Sequence, residues 1–110
     1  MLSGIYRVIF QGPAGQGKGI LFAKNGVLIG GDTAFVYDGT FQISGSQFTA
    51  KLHVVQDATS LQSVFGLLSD FHLDILGQVP SDQVFSSEGA VIGQPALRIT
   101  AQGTKMHEAI

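Results

Sequence analysis

The chain has 110 residues, which is enough for one domain with one hydrophobic core. Apolar residues make up 45% of it, a composition typical of folded rather than disordered proteins. Charged residues make up only 13% and the net charge is −2, so binding to nucleic acid through phosphate neutralisation is not expected. The absence of cysteine excludes disulfides, thiolate metal sites and a cysteine nucleophile.

The sequence shows no pattern typical of secretion or of a membrane protein. Residues 1–7 lack the basic stretch and apolar run of a secretory signal. No run approaches the ~18 apolar residues of a membrane-spanning helix, so no membrane association is expected. A cytoplasmic location is therefore the default expectation.

Apolar and polar residues alternate with a period of two along most of the chain, which is the pattern of half-buried β-strands. The predicted strands cover residues 5–11, 19–24, 27–29, 34–44, 47–56, 71–76, 84–87 or slightly beyond, and 97–102. Asn25-Gly26 is a strong hairpin signal between the second and third strands. Residues 12–17 are predicted to form a loop, and residues 30–32 to break or bend the third strand.

One segment, residues 57–70, follows a different pattern. Leu61, Val64, Phe65 and Leu68 have a helix-like spacing. A glycine within the pattern weakens an exposed helix by about 1 kcal/mol relative to alanine. We therefore predict a loop with one or two helical turns, which covers an end of the strand assembly and forms the mouth of a ligand site with Leu61, Val64 and Phe65.

Short strands with frequent turn signals predict one all-β domain over residues 1–110. The connections are local and no crossover helix separates the strands. We therefore expect a small up-and-down antiparallel eight-stranded barrel with one short helical segment, rather than a Greek-key sandwich. Closure removes the edge strands that invite aggregation. The alternation predicts that Phe10, Phe48 and Phe71 are buried in one cluster.

Residues 12–19, GPAGQGKG, come close to a phosphate-binding loop. They fit G-x-x-x-x-G-K, but Gly19 stands where the motif has the Ser or Thr that holds magnesium. In a true phosphate loop a helix follows, and its N-terminal amides hold the phosphates. Here residues 20–24 lead directly into a hairpin turn, which leaves room for a strand. We predict a hairpin loop with one solvated lysine and no nucleotide binding.

The three histidines form no constellation typical of an enzyme or of a metal site. Neighbouring same-face pairs, His72 with Asp74 and Lys51 with His53, are typical of solvent-facing strips on strands. The spacing matches neither H-x-H nor H-E-x-x-H, and no Ser-His-Asp triad is evident. His107 belongs to a tail that is predicted to be frayed. We therefore predict no catalytic residue, no metal site and no cofactor.

Asp32 follows two glycines at a predicted barrel corner. Its carboxylate can accept hydrogen bonds from backbone amides one or two residues ahead, as in an Asx turn. Gly30 and Gly31 permit the close backbone approach that a tight corner needs. A catalytic carboxylate would need a second acid nearby, and the sequence offers no obvious one. The prediction is a structural role.

An ordered set of residues in the first third of the chain resembles one protein family. The set consists of Gly4-Ile5-Tyr6, Ile9-Phe10, Gly17-x-Gly19-Ile20-Leu21, Lys24-Asn25-Gly26, Gly30-Gly31-Asp32, Tyr37 and Gly39. It resembles the GrlR-like proteins, named for a negative regulator of bacterial type III secretion genes. The resemblance is close over residues 4–39 and extends more weakly to about residue 77. It implies a calycin-type, lipocalin-like barrel that pairs into dimers. The residues expected to form a structural motif are Gly30, Gly31, Asp32, Tyr37 and Gly39.

The resemblance also implies a function. The family's named regulator represses by binding a transcriptional activator, and an exposed Glu-Asp-Glu-Asp run is implicated in that contact. At the corresponding place this chain has residues 42–47, without any acid. Four fewer negative charges remove most of the attraction toward a basic partner. The resemblance thus implies a non-enzymatic regulator whose protein partner, such as a transcriptional regulator, contacts the candidate partner loop Ser44, Gly45 and Ser46.

Two other functions stay open, a carrier or sensor of a small apolar ligand, as lipocalin-like barrels often are, and an enzyme, for which no constellation is evident. The fullness of the barrel distinguishes the carrier from the regulator. The barrel is nearly filled if its aromatic residues point inward: Tyr6, Phe10, Phe22, Phe35, Phe41, Phe48 and Phe71. Small inward residues such as Ala50 and Ala101 could leave a pocket at one end.

Several predicted strands are apolar on both faces. Ile5 and Ile9 lie opposite Tyr6 in the first strand, and Val55 lies opposite Val54 in the fifth. Monomers seldom expose contiguous apolar patches beyond a few hundred Å². We therefore predict a twofold homodimer formed through an outer face of the barrel. The alternative is that residues 57–70 and the C-terminal tail cover this patch within one subunit.

Overall fold

A computed structural model describes residues 2–57 and 69–109. The described residues form eight antiparallel strands that close into one up-and-down barrel, so the predicted fold class is confirmed. The strands are β1 (Gly4–Gly12), β2 (Gly15–Lys24), β3 (Val27–Gly31), β4 (Phe35–Ser44), β5 (Gln47–Gln56), β6 (Asp70–Ser81), β7 (Val84–Val91) and β8 (Gln94–His107). Each strand pairs with the next along the chain, and β8 pairs with β1 to close the barrel.

The loop predicted over residues 12–17 is wrong. β2 begins at Gly15, and Gly12 pairs directly with it, so the chain reverses at Pro13 and Ala14 alone. The glycines beyond the turn are strand residues because their backbones take part in the β1–β2 ladder. The Asn25-Gly26 hairpin is confirmed, with both residues at positive φ, as its turn type requires.

Other strands extend beyond their predicted ends. β3 continues through Gly30 and Gly31, which both pair with β4, so the predicted break lies after them. β8 reaches His107, which pairs with Ile5 on β1, so the frayed tail predicted there is wrong. In each case backbone pairing with a neighbour continues where the apolar alternation of the sequence has already ended.

The predicted helical segment covers residues 57–70, of which residues 58–68 lie outside the described part of the chain. The predicted ligand mouth lies there as well: Leu61, Val64 and Phe65. Asp57, the last described residue before residues 58–68, lies beside the β3–β4 turn, where its N–H donates to the Ala34 carbonyl at 2.6 Å. Among the described residues, no helix is long and apolar enough to cross a membrane.

One end of the barrel, which we call the packed end, carries the β2–β3, β4–β5 and β6–β7 turns. Tyr6 is fully buried there, and its hydroxyl donates to the Asp82 carbonyl at 3.0 Å. Its ring meets Phe85 edge to face at 5.4 Å, and Phe85 meets Phe48 in the same way at 5.8 Å. Leu2 is buried beside them. The opposite end, with the β1–β2, β3–β4 and β7–β8 turns, is called the Asp32 end.

Large aromatic rings at the packed end lie over glycines of neighbouring strands. Phe48 faces Gly77 across the β5–β6 pair, and Phe85 faces Gly103 across the β7–β8 pair. A Cβ atom at either glycine would overlap the ring. The missing side chains therefore make room for the rings inside the barrel. This accounts for part of the high glycine content, 15 residues in all.

The predicted cluster of three phenylalanines is confirmed in part. Phe48 and Phe71 are 4% and 7% exposed and belong to one core cluster. Phe10 is only half-buried and packs against that cluster from the Asp32 end, edge to face with Tyr37 at 6.3 Å. Phe22 lies on the outer face of the barrel, because both of its neighbours in β2 are buried.

Candidate functional site

The barrel encloses a cavity of about 290 Å³. Its wall is mainly apolar and includes Phe10, Leu21, Phe71 and the two predicted small residues, Ala50 and Ala101. An apolar cavity of about 150 Å³ is known to stay dry and bind benzene, and ligand pockets in proteins usually exceed about 300 Å³. The interior therefore has room for one small apolar molecule.

Asp32 organises the polar groups at its end of the cavity. Its Oδ1 accepts the Ala34 N–H at 2.8 Å and the Phe35 N–H at 2.9 Å, so the predicted Asx turn is confirmed. Its Oδ2 accepts the hydroxyl of Tyr37. The Asp32 N–H in turn donates to the Phe35 carbonyl at 2.9 Å. The carboxylate is thus held by three donors from the β3–β4 turn and β4.

A glycine of β2, Gly19, leaves room for Tyr37. A Cβ atom at Gly19 would lie 2.9 Å from the Tyr37 hydroxyl. Tyr37 on β4 pairs with Gly30 on β3, where a Cβ atom would instead overlap the backbone carbonyl of Ile20 on β2. Of the five residues predicted as a structural motif, the structure thus joins Asp32 and Tyr37 by a hydrogen bond and pairs Gly30 with Tyr37.

The environment of Tyr37 keeps its hydroxyl protonated. Burial raises the pKa of Tyr37, and the hydrogen bond to Asp32 and the negative charge of that carboxylate raise it further. Because the hydroxyl donates its proton to Asp32, its oxygen presents only lone pairs to other groups. The pair can therefore orient a hydrogen-bond donor.

This raised pKa predicts a loss of stability in alkali. Above pH 10, the ordinary pKa of tyrosine, the unfolded chain loses the Tyr37 proton while the folded chain retains it, which favours unfolding. The free energy of unfolding should fall by at most ~1.4 kcal/mol per pH unit from this group. Denaturant unfolding of wild type and Tyr37→Phe, at several pH values above and below pH 10, gives the free energy of unfolding as a function of pH. Above pH 10 this free energy should fall more steeply for wild type than for Tyr37→Phe. Equal slopes for the two proteins would contradict the raised pKa of Tyr37.

The histidines lie on the outer surface, where the sequence predicts solvent-facing strips. His53 and His72 pair across β5–β6 and their rings stack at 4.4 Å, while His53 Nε2 lies 2.6 Å from Asp70 Oδ1. The neighbouring Lys51 and Asp74 form an exposed ion pair at 3.1 Å. Within residues 2–57 and 69–109, no group of three or more His, Asp or Glu side chains is arranged so that it could hold a metal ion.

The stretch that resembles a phosphate loop spans the end of β1, the turn at residues 13–14 and the start of β2. Gly17 and Gly19 pair with β1, and Lys18 between them is exposed. Side chains alternate between the faces of a strand, so the Lys18 side chain points outward, although Lys18 also lines the cavity at its Asp32 end. The strand predicted after Lys18 is confirmed, and the absence of nucleotide binding stays a prediction.

A second candidate site is an apolar area on the outside of β1 to β5, which we call the apolar outer face. It comprises Ile5, Ile20, Phe22, Ile29, Val36 and Val55. Ile29 and Val36 are 54% and 49% exposed. The predicted partner loop, Ser44-Gly45-Ser46, is also exposed but lies at the packed end, where the Ser46 carbonyl accepts the Val79 N–H at 2.7 Å.

The sequence matches no protein-family model, and it matches no curated protein. The GrlR-like resemblance stays a prediction. The geometry of the cavity and of the apolar outer face therefore carries the functional argument.

Proposed function

We propose that this protein is a non-enzymatic, protein-binding barrel that works as a homodimer in the cytoplasm. Its role would be regulatory, of the kind that the GrlR-like resemblance implies, with control of type III secretion genes through a protein partner. The observation that carries the proposal is the apolar outer face, whose occupant is proposed to be a second copy of the chain. Contiguous apolar surface of this kind is typical of protein–protein contacts.

The strand register makes the apolar outer face continuous. Phe22 faces Ile29 directly across β2–β3, and Val36 faces Val55 directly across β4–β5. Residues opposite each other on one face have Cβ atoms about 4.5–5.5 Å apart and contact each other. Gly31 lies between Ile20 and Val36 in the same row and carries no side chain. The surface there lets a partner approach the backbone of β3.

The charges around the face favour a second copy as its occupant. Arg7 is exposed on β1 at one border of the face. Asp38, which pairs with Ile29, and Asp70, which pairs with Val55, are exposed near the other border. A twofold axis through the middle of the face and parallel to its strands would bring the Arg7 side of each copy toward the acidic side of the other. Such a contact is self-complementary in both shape and charge.

The composition of the partner loop favours a protein partner with a neutral contact surface, unlike the basic partner surface that the acidic run of the family's named regulator would attract. Ser44, Gly45 and Ser46 are exposed, neutral and small, so they offer hydrogen bonds and close backbone approach rather than attraction of basic groups. The loop lies at the packed end, whereas Val36 lies near the Asp32 end. A partner could therefore reach it while the apolar outer face is covered by the second copy.

Dimerisation is tested by substituting one residue of the face and one matched residue outside it. Ile29→Asp places a charge at the centre of the contact and should yield a single species near 11.6 kDa in sedimentation equilibrium. Leu76→Asp is the control, because Leu76 is 50% exposed on β6, away from the face. Wild type and Leu76→Asp should both sediment near twice the monomer mass. A monomeric wild type, or dissociation by both substitutions alike, would refute the proposed interface.

A second candidate function is that of a carrier or sensor of a small apolar ligand. The cavity of about 290 Å³ favours it. Saturable binding of toluene, measured by titration calorimetry, tests it, with Ala101→Leu as the variant that fills the cavity and abolishes binding. Absence of toluene binding to wild type would refute this candidate without affecting the dimer.

A further inference from the structure

Two hydroxyl groups that line the inside of the cavity have already donated their protons. The Tyr37 hydroxyl donates to Asp32, and the Ser87 hydroxyl donates to the Ala101 carbonyl at 3.2 Å. Both residues line the cavity. In the described part of the chain, no buried side-chain nitrogen or oxygen lacks a hydrogen-bond partner. Gln16 and Thr33 also line the cavity, but both are exposed at the Asp32 end. Inside the cavity the two hydroxyl groups therefore offer lone pairs to a ligand but no free proton.

The residues that line the cavity carry more negative than positive charge. Asp32 and Glu88 line it together with one cation, Lys18, and Lys18 and Glu88 are both exposed. Lys105 points into the barrel at the packed end, but its Nζ lies 3.4 Å from the Glu108 carboxylate and 5.9 Å from the centre of the Tyr6 ring. It does not border the cavity. Among the described residues, the lining thus has no excess of positive charge that would attract an anionic ligand.

We infer that the cavity binds a small uncharged molecule with an apolar body and one hydroxyl group, such as a medium-chain alcohol or a phenol. The hydroxyl of the ligand donates its proton to the Tyr37 oxygen at the Asp32 end. The apolar body lies among Leu21, Phe48 and Leu73 farther inside. This inference rests on the carrier function proposed above and names its ligand class.

Size and charge narrow the ligand class further. A water molecule occupies about 30 Å³ in the liquid, so a cavity of about 290 Å³ holds on the order of ten non-hydrogen atoms. A carboxylate beside the Tyr37 oxygen would leave water without gaining a donor from Tyr37 or Ser87, and it would face the like charge of Asp32. An ether in that position would lose its hydrogen bonds to water and gain no proton from either hydroxyl.

Three ligands of similar length separate these possibilities in titration calorimetry at neutral pH: 1-octanol, heptyl methyl ether and octanoate. The alcohol should bind about five to ten times more tightly than the ether, as one net hydrogen bond contributes. Octanoate should bind at least about a hundredfold more weakly than the alcohol. Tyr37→Phe should lower the affinity for the alcohol to that for the ether. Unchanged binding of the ether by Tyr37→Phe shows that the cavity is intact in the variant.

The outcomes distinguish the inference from the carrier function. Equal affinities for alcohol and ether, tighter binding of octanoate, or an unchanged preference in Tyr37→Phe would refute the proposed ligand class, while the carrier function would stand. Octylamine as a fourth ligand should bind more weakly than the alcohol, because its ammonium group is charged at neutral pH and is costly to remove from water. Tighter binding of the amine would also refute the class. If none of the four ligands binds while toluene does, the inference fails and the carrier function stands. If toluene does not bind either, both fail.

Discussion

Replacing Phe48 by alanine is expected to lower the free energy of unfolding by ~3–5 kcal/mol. The Phe48 ring is buried, packs edge to face on Phe85 and fills the space above Gly77. Truncation would remove these contacts and enlarge a cavity that already measures about 290 Å³. Because the strand ladder around the ring is closed, the surrounding backbone cannot collapse into the gap. Denaturant unfolding with an unchanged m-value measures the loss.

Thr49→Ala is the matched control, since Thr49 is the next residue of β5 and is exposed. Its effect should stay within about 0.5 kcal/mol, as for most surface substitutions. Phe10→Ala should cost clearly less than Phe48→Ala, because Phe10 is half-buried. A loss below ~1 kcal/mol for Phe48→Ala would mean that its ring does not fill the interior as described.

Replacing Gly39 by alanine is expected to cost at least ~3 kcal/mol, the upper end of the usual range for overpacking. A Cβ atom at Gly39 would overlap the backbone carbonyl of Lys51 and lie 3.0 Å from the Cα of Leu52. Both obstacles are backbone atoms of β5, to which Gly39 is paired. The strand pair would have to separate locally to admit the methyl group. Thermal and denaturant unfolding both measure the effect.

Thr40→Ala, at the exposed next position of β4, is the control for Gly39→Ala. It leaves the backbone contacts of Gly39 intact and should change stability little. If Gly39→Ala were as stable as Thr40→Ala, the close approach of β4 and β5 would be refuted. That approach gives a structural role to Gly39, which the resemblance places in the structural motif; Gly39 pairs with Leu28 and Leu52, whereas Gly30 pairs with Tyr37.

The fold could be predicted because its signals are local. Alternating apolar residues fix which face of each strand is buried, and the Asn25-Gly26 turn fixes one hairpin register. The strand ends could not be predicted in the same way. Residues 15–18 are mostly glycine and polar residues without alternation, yet they form a strand because β1 supplies backbone partners.

The hydrogen bond between Tyr37 and Asp32 could not be predicted from the sequence, although both residues belong to the predicted motif. The Asx turn follows from Asp32 and its neighbours, whereas the Tyr37 hydroxyl reaches Asp32 beside Gly19 of another strand. The sequence offers no second acid near Asp32, and the side-chain partner in the structure is a phenol. A tyrosine whose cross-strand neighbour is glycine is the signal that could have indicated the contact.

The existence of an apolar outer face could be predicted from the sequence, but its position on the barrel could not. Ile5, Ile9 and Val55 indicated an apolar exterior on the first and fifth strands. The structure centres the face on β2 and β3, because Phe22 and Ile29 lie opposite each other on the outside. A nearly filled barrel would require Phe22 to point inward with the other aromatic residues, and this orientation is wrong. Its true orientation follows from Leu21 and Ala23, which are both buried.

The central claim, that a second copy covers the apolar outer face, is tested most directly by the solvent accessibility of methyl groups. Methyl NMR with a dissolved paramagnetic agent should show Ile29 and Val36 protected at protein concentrations above the dimer dissociation constant and accessible after dilution below it. Leu76 and Ile92, which are exposed outside the face, should be accessible at both concentrations. Equal accessibility of all four residues at high concentration, or protection of Leu76 and Ile92 instead, would contradict the proposed dimer.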